Sequence, residues 1–231
     1  MTAVGSYLPA NVVTNDDLSA CVDTSDEWIR RRTGIMQRHF VADGETTADL
    51  ASNAATRALA QAGLAPTDID LIIVATTTPD NTFPSTATKV QHLIGASGAI
   101  AFDVQAVCAG FIYAMSTANA QIISGQANRI LVIGSETFSN LMDWNDRSTC
   151  VLFGDGAGAL AIEATNEFDN LIGFDIRTDG ERGSFLNLPS KNNKDSIIDN
   201  IDFLSGAFSP IQMNGQEVYK FAVREVPIIL E

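Results

Sequence analysis

An α/β fold, in which helices cover both faces of a largely parallel sheet, is what the amino-acid sequence predicts on three counts. Short apolar runs alternate with helix-length segments through residues 46–134. Two of those runs, Leu71-Ile-Ile-Val-Ala and Arg129-Ile-Leu-Val-Ile-Gly, are apolar on consecutive residues, as strands covered on both sides are. The segments between them carry the residues that start and stop helices. A β-α-β-α-β succession favours parallel pairing, because each helix returns the chain to the same end of the sheet.

A short helical stretch is expected over residues 15–21. Thr46 opens the first long helix with a capping-box pattern, Thr46-x-x-Asp49. Leu50, Ala51, Ala54, Ala55, Ala58, Leu59 and Ala62 form its apolar face, and Gly63 ends it. Residues 70–76 are a buried strand. Pro84 and Ser85 start a short helix that runs to Ile94 and stops at Gly95. Residues 99–107 are a second strand, with one charge at Asp103, and they pass directly into a helix that lasts to Gly125. That helix is apolar or small on every side, so it is expected to be buried all round. Residues 129–134 are a third strand.

Phe153-Gly-Asp-Gly-Ala-Gly-Ala159 has the glycine content of a nucleotide loop, but Leu160-Ala-Ile-Glu after it reads as strand. A phosphate loop needs a helix N-terminus behind it, so a dinucleotide site is excluded. The glycines fit a tight hairpin or close backbone packing. Beyond Ala164 the sequence is richer in Asn, Asp, Ser and Gly, with strand-like pieces at residues 171–177 and around Phe203. Residues 215–230 are helical again, with Pro227 expected to interrupt them. A boundary is therefore placed between residues 1–164 and 165–231.

Composition narrows the function. The 231 residues are 45% hydrophobic and 18% charged, as in a globular protein. A net charge of −14 excludes nucleic acid as a partner, because phosphate backbones need a basic footprint. No apolar run approaches the ~20 residues of a membrane span, and Met1-Thr-Ala-Val-Gly-Ser-Tyr lacks the regions of a signal peptide. Three cysteines form neither a disulfide framework nor a zinc cluster, so a cytoplasmic location is expected and no metal. Four of the 14 basic residues (Arg30, Arg31, Arg32 and Arg38) lie within nine positions, either as a local site for an anionic ligand or as a solvated helix end.

Cys108 stands where strand becomes helix. Unpaired N–H groups and the positive end of the helix dipole favour an anion there, and a thiolate is the nucleophilic form of cysteine. The alternative is a packed, inert thiol, the commoner fate of free cysteine. Cys21 and Cys150, the latter in an expected strand start, have no such setting and are read as packing residues. His39 and His92 are read as structural.

Taken in order, the motifs resemble β-ketoacyl-acyl carrier protein synthase III, the initiating condensing enzymes of bacterial fatty acid synthesis. The resemblance runs through Gly5-Ser-Tyr-Leu-Pro9, Asp23-Thr-Ser-Asp-Glu-Trp-Ile29, Arg32-Thr-Gly-Ile35 and Phe83-Pro-Ser. It continues through Phe102-Asp-Val, Cys108-Ala-Gly-Phe111, Asp146-Arg147, Phe153-Gly-Asp-Gly-Ala-Gly158 and Met213-x-Gly-x-Glu-Val-Tyr219-Lys. It departs from the relatives at Met36, where a basic residue is common.

The resemblance implies a thiolase-like layered α/β/α/β/α sandwich, its first half complete and its second half only begun. It implies an acyltransferase in which Cys108 takes an acyl group from acetyl-CoA or another short acyl-CoA and passes it to malonyl-acyl carrier protein. CoA and carbon dioxide are released, and acyl-CoA is a substrate, so no cofactor is needed. Trp28 and Arg147 match positions that sandwich the CoA adenine, Thr24 a contact to the adenine edge, and Arg32 a phosphate contact. Tyr219 lies where the family usually has Phe near the pantetheine tunnel. Phe83 matches a loop residue that crosses a homodimer to close the partner's acyl pocket.

The family's His and Asn, which assist decarboxylation, belong to the second half of the fold and have no match in this sequence. The chain is therefore expected to be a fragment of a longer enzyme. Two other functions remain open: a related condensing enzyme of secondary metabolism, and a non-catalytic partial module.

Overall fold

A computed structural model describes residues 3–166, 171–198 and 201–230, with the side chains of 190–208 outside the described set. The chain divides into two compact units. The first comprises Met1–Val13, Arg38–Phe138 and Gly154–Phe174, and the second Thr14–Gln37, Ser139–Phe153 and Asp175–Glu231.

In chain order the elements begin with β1 (Ala3–Tyr7), β2 (Asn11–Thr14), α1 (Asn15–Ser19), α2 (Asp26–Thr33) and β3 (Gln37–Phe40). They continue with α3 (Thr47–Ala62), β4 (Leu71–Ala75), α4 (Thr86–Ile94), β5 (Ile100–Val104), α5 (Gly110–Ile123), β6 (Arg129–Thr137) and β7 (Asp155–Glu163). The last are β8 (Leu186–Asn187), β9 (Ser190–Ile198), β10 (Ile201–Phe208), β11 (Gln212–Met213) and α6 (Gly215–Leu230).

The first unit is built on a five-stranded sheet of order β1-β7-β6-β4-β5. The strands around β4 are parallel as expected, Leu71 facing Ile100 on one side and Ile130 on the other. The sheet is mixed, however, since β7 runs antiparallel to both β6 and β1. Only a short 3₁₀ turn, Phe138–Leu141, and no α-helix lies between β6 and β7, so the parallel rule for β-α-β units does not reach them. The glycine-rich run is the start of β7 and not a hairpin. A Cβ on Gly156 would lie 3.0 Å from Leu8, and one on Gly154 3.0 Å from Arg38, so close packing is what these glycines permit.

Helices cover both faces. The helix α3 begins at the Thr46–Asp49 capping box and ends at Gly63 in the left-handed conformation, φ 68°. Its Ala51, Ala54, Ala55 and Ala58 are fully buried with Ile72, Val74, Leu131 and Ile133 of the sheet. A Cβ on Gly5 of β1 would collide with the backbone of Ala54 and Ala58, so this strand and helix touch main chain to main chain. On the opposite face Ala114 and Ala118 of α5 pack with Ile73, Ile130 and Val132. The expectation that α5 is buried all round is corrected: Ile112 is 48% and Ile123 76% exposed, because no described residue covers its outer side.

Other expectations are also corrected. Residues 171–177 hold no strand, although Ile172, Phe174 and Ile176 alternate with Gly173, Asp175 and Arg177: all but Ile176 are exposed, so the alternation buries no face. The chain around Cys150 is a turn, not a strand start, although Cys150 itself is buried; Cys21 is exposed. The helix α6 continues through Pro227, one turn from its end, although proline has no N–H to donate to the Val223 carbonyl. Arg38 is buried on β3, apart from Arg30, Arg31 and Arg32, which are exposed on α2. Phe203 falls in β10, its side chain outside the described set.

Candidate active site

The strand β5 stops at Val104, whose carbonyl accepts the Thr76 N–H at 3.2 Å. The chain then turns through Gln105 and Ala106 into a 3₁₀ turn, Val107–Ala109, that leads into α5. Cys108 is in that turn and is exposed. Two close approaches hold the junction on the sheet. A Cβ on Gly110 would lie 3.3 Å from Ala75, and one on Gly134 3.4 Å from the Phe111 ring. Val107, just ahead of the thiol, has φ 48°. For a β-branched residue that left-handed conformation costs about 1–3 kcal/mol, and such strain clusters at functional sites. Among the described residues no side chain caps either helical segment, while the Ala109 N–H bonds the Ala106 carbonyl at 3.1 Å and the Gly110 N–H that of Val107, so the positive end of α5 is left without a side-chain partner.

Sequence reasoning passed over Glu136, on β6. Its Oε1 accepts the Thr77 N–H and the Thr77 hydroxyl, both at 2.8 Å, and its Oε2 accepts the Thr78 hydroxyl at 2.7 Å. Burial pushes its carboxyl above the ordinary glutamate range, and the bonds from Thr78 and Thr77 pull the other way. The signal was present: Thr76-Thr-Thr and Ser135-Glu-Thr end two expected strands that would be neighbours.

The second unit gathers three of the expected binding residues. The Ser25 hydroxyl accepts the Trp28 N–H at 3.1 Å and starts α2. From the next turn Arg32 reaches over the indole, its Cζ 4.3 Å from the ring centroid, and the Arg147 Cζ lies at 5.2 Å. Each such contact contributes about 0.5–1 kcal/mol at an exposed site. Arg147 stands on a turn shaped by Asp146, whose carboxylate accepts from the Ser148 hydroxyl at 2.6 Å and the Thr149 hydroxyl at 3.0 Å. The Ser148 hydroxyl holds the Asp146 carboxyl below its usual range. Arg147 also donates to the Asp23 carbonyl at 2.6 Å. Beside it, the Thr24 hydroxyl oxygen is buried and has no hydrogen-bond partner among the described residues. Tyr219 is 69% exposed on α6.

Phe83, in the first unit, is 83% exposed on the loop between β4 and α4. His39 bonds the Pro9 carbonyl through Nδ1 at 2.6 Å, and His92 lies in the last turn of α4. Among the described residues no group of three or more His, Cys, Asp or Glu is placed to hold a metal ion. No described helix is long and apolar enough to cross a membrane.

The chain as a whole has counterparts in known proteins. A family model described as 3-oxoacyl-[acyl-carrier-protein] synthase III matches residues 102–180, the stretch that contains Cys108 and Arg147. A β-ketoacyl-[acyl-carrier-protein] synthase III of Prochlorococcus marinus is 60% identical over 98% of this chain and 68% of its own length. The chain belongs to the β-ketoacyl-acyl carrier protein synthase III family.

Solved synthase III structures agree. That of Pseudomonas aeruginosa has a TM-score of 0.85 at 38% identity, over 99% of this chain and 69% of its own. That of Aquifex aeolicus has a TM-score of 0.78 at 42% identity, over 96% of this chain and 67% of its own. The expected thiolase-like α/β fold is thus the fold of this chain, which spans about two thirds of these synthases. The family comprises condensing transferases of fatty acid biosynthesis.

Proposed function

We propose that Cys108 is the nucleophile of a two-stage condensation. Its thiolate attacks the thioester carbonyl of acetyl-CoA or another short acyl-CoA, and the CoA thiolate leaves. Malonyl-acyl carrier protein then loses carbon dioxide, its carbanion attacks the acyl group, and the Cys108 thiolate is released with a 3-ketoacyl-acyl carrier protein. The observation that carries this is the exposed thiol at the head of α5, where the positive end of the helix dipole favours the thiolate and the charge that develops on the thioester oxygen. The chemistry needs only thiol, thioester and loss of carbon dioxide, so no metal or prosthetic group is called for. Residues 1–164 are assigned to the first half of the fold and 165–231 to the second, and the His and Asn that assist decarboxylation in the family have no match in this sequence.

The adenine of CoA would enter beside Trp28 and Arg147, with the unpartnered Thr24 hydroxyl bonding its edge and Arg32 the phosphates. Tyr219 would line the pantetheine path. A second copy of the chain would cover Phe83 and extend the sheet at β5, an edge strand whose Ile100 is 63% exposed. Free cysteines suit a reducing compartment such as the cytoplasm.

Incubation of the full-length protein with radiolabelled acetyl-CoA tests the assignment. Label stable to gel filtration should appear on the wild type and fall at least about 1000-fold in Cys108→Ala, as loss of a nucleophile does. Equal labelling of both would overturn it. Condensation with malonyl-acyl carrier protein separates a fatty-acid synthase from a relative that serves another pathway.

A further inference from the structure

The loop of residues 76–85 has no regular structure, yet half-buried carboxylates pin it along its length. At its entry Glu136 takes the Thr77 N–H and the hydroxyls of Thr77 and Thr78. The Thr78 hydroxyl in turn accepts the Thr137 N–H at 2.9 Å, and the Thr78 carbonyl accepts the Thr47 hydroxyl at 2.6 Å. In its middle the Asp80 carboxylate, 8% exposed, bonds Lys89 at 2.6 Å and the Ala48 N–H at 3.2 Å. At its exit Asp103 of β5 takes the N–H groups of Thr86 and Ala87, both at 2.7 Å, where α4 begins. Between these anchors residues 81–83 make no hydrogen bond among the described residues, and Phe83 projects into solvent. No cation pairs with Glu136 among the described residues, so this carboxylate bears its burial without an ion pair. What it gains is the threonine turn. Supporting groups of this kind fix a working side chain within a fraction of an ångström.

We propose that Glu136 and Asp103 are positioning residues that clamp the two ends of the 76–85 loop, holding Phe83 as a fixed wall that decides which acyl chains are accepted. This rests on the assignment of Phe83 to an acyl pocket. Asp103 bonds only backbone and Glu136 bonds backbone and hydroxyls, so neither touches the substrate. Both act through Phe83.

The test uses the full-length enzyme with Glu136→Gln, which keeps the shape but replaces one acceptor oxygen with an NH₂ donor. The ratio of kcat/KM for acetyl-CoA to that for hexanoyl-CoA should fall about 10-fold, within the range that pocket fit commands. The acetyl-CoA value itself should change less than about threefold, equivalent to under one kcal/mol. Placed on Phe83→Ala, Glu136→Gln should leave the ratio where Phe83→Ala alone set it. Asp103→Asn should behave alike. An unchanged ratio in an intact fold, or an equal further fall on the Phe83→Ala background, would overturn the proposal. Hydrogen exchange of residues 77–83 gives a readout independent of catalysis. Faster exchange in Glu136→Gln supports the clamp even if the wild type transfers no acetyl group, and unchanged exchange overturns it.

Discussion

The two faces of the five-stranded sheet are covered by unlike helices. On one face α3 lays alanines flat against the strands and turns Asn53, Arg57 and Gln61 outward. That layer is finished: one apolar side, used, and one polar side, solvated. On the other face α5 buries Gly110, Ala114 and Ala118 and presents Ile112 and Ile123 away from the sheet. A helix that is apolar on two sides is made for two neighbours, and the described residues supply one. The proposed nucleophile heads the helix of the second kind, so its surroundings are set by both of that helix's sides.

Mutations can break this contrast. The largest effect is expected where the closed face has no slack. Gly5→Val would drive its side chain into the backbone of Ala54 and Ala58 and should cost about 3 kcal/mol or more by urea denaturation. A loss under about 1 kcal/mol would mean that β1 and α3 can part cheaply.

On the α5 side, Glu136 gives a pH signature. Its carboxyl is raised in the folded state by burial, so the folded chain holds a proton that the unfolded chain releases. Stability should therefore fall as pH rises from the ordinary glutamate range through the raised folded value, and level off above it. Glu136→Gln should remove that part of the slope, and parallel slopes for the two proteins would show that the carboxylate is not stressed by burial. The smallest effect is expected outside α5. Ile123→Lys should shift the stability of the 231-residue chain by no more than about 0.5 kcal/mol, as surface changes do. A loss of about 2 kcal/mol would mean that the outer side is packed after all.

Much of this was legible in the sequence where the determinants are local. The Thr46–Asp49 box, the Ser85 cap and the stops at Gly63 and Gly95 each act within a few residues, and all four fall where expected. So does the strand-to-helix passage at Cys108, though β5 ends at Val104, earlier than apolarity alone indicated. What failed depends on distant partners. The direction of β7 is set by β6 and β1, and its glycines carry no alternation to announce it. Trp28 and Arg147 meet across 118 intervening positions, a pairing that only family resemblance could supply. Glu136 was missed because its bonds run to a turn after another strand, so that only the pairing of the two strands, and no local spacing, points to it.

The order of the sheet also has a consequence for synthesis on the ribosome. Ala3 of β1 pairs with Ala161 of β7, so β1 must wait until synthesis has passed α3, α4 and α5 and reached β7 before its backbone is satisfied. Until then β1 offers unpaired backbone beside the alanine face of α3. Chaperones that shield emerging chains should find their longest task there, and folding of the first unit cannot finish until translation has passed β7.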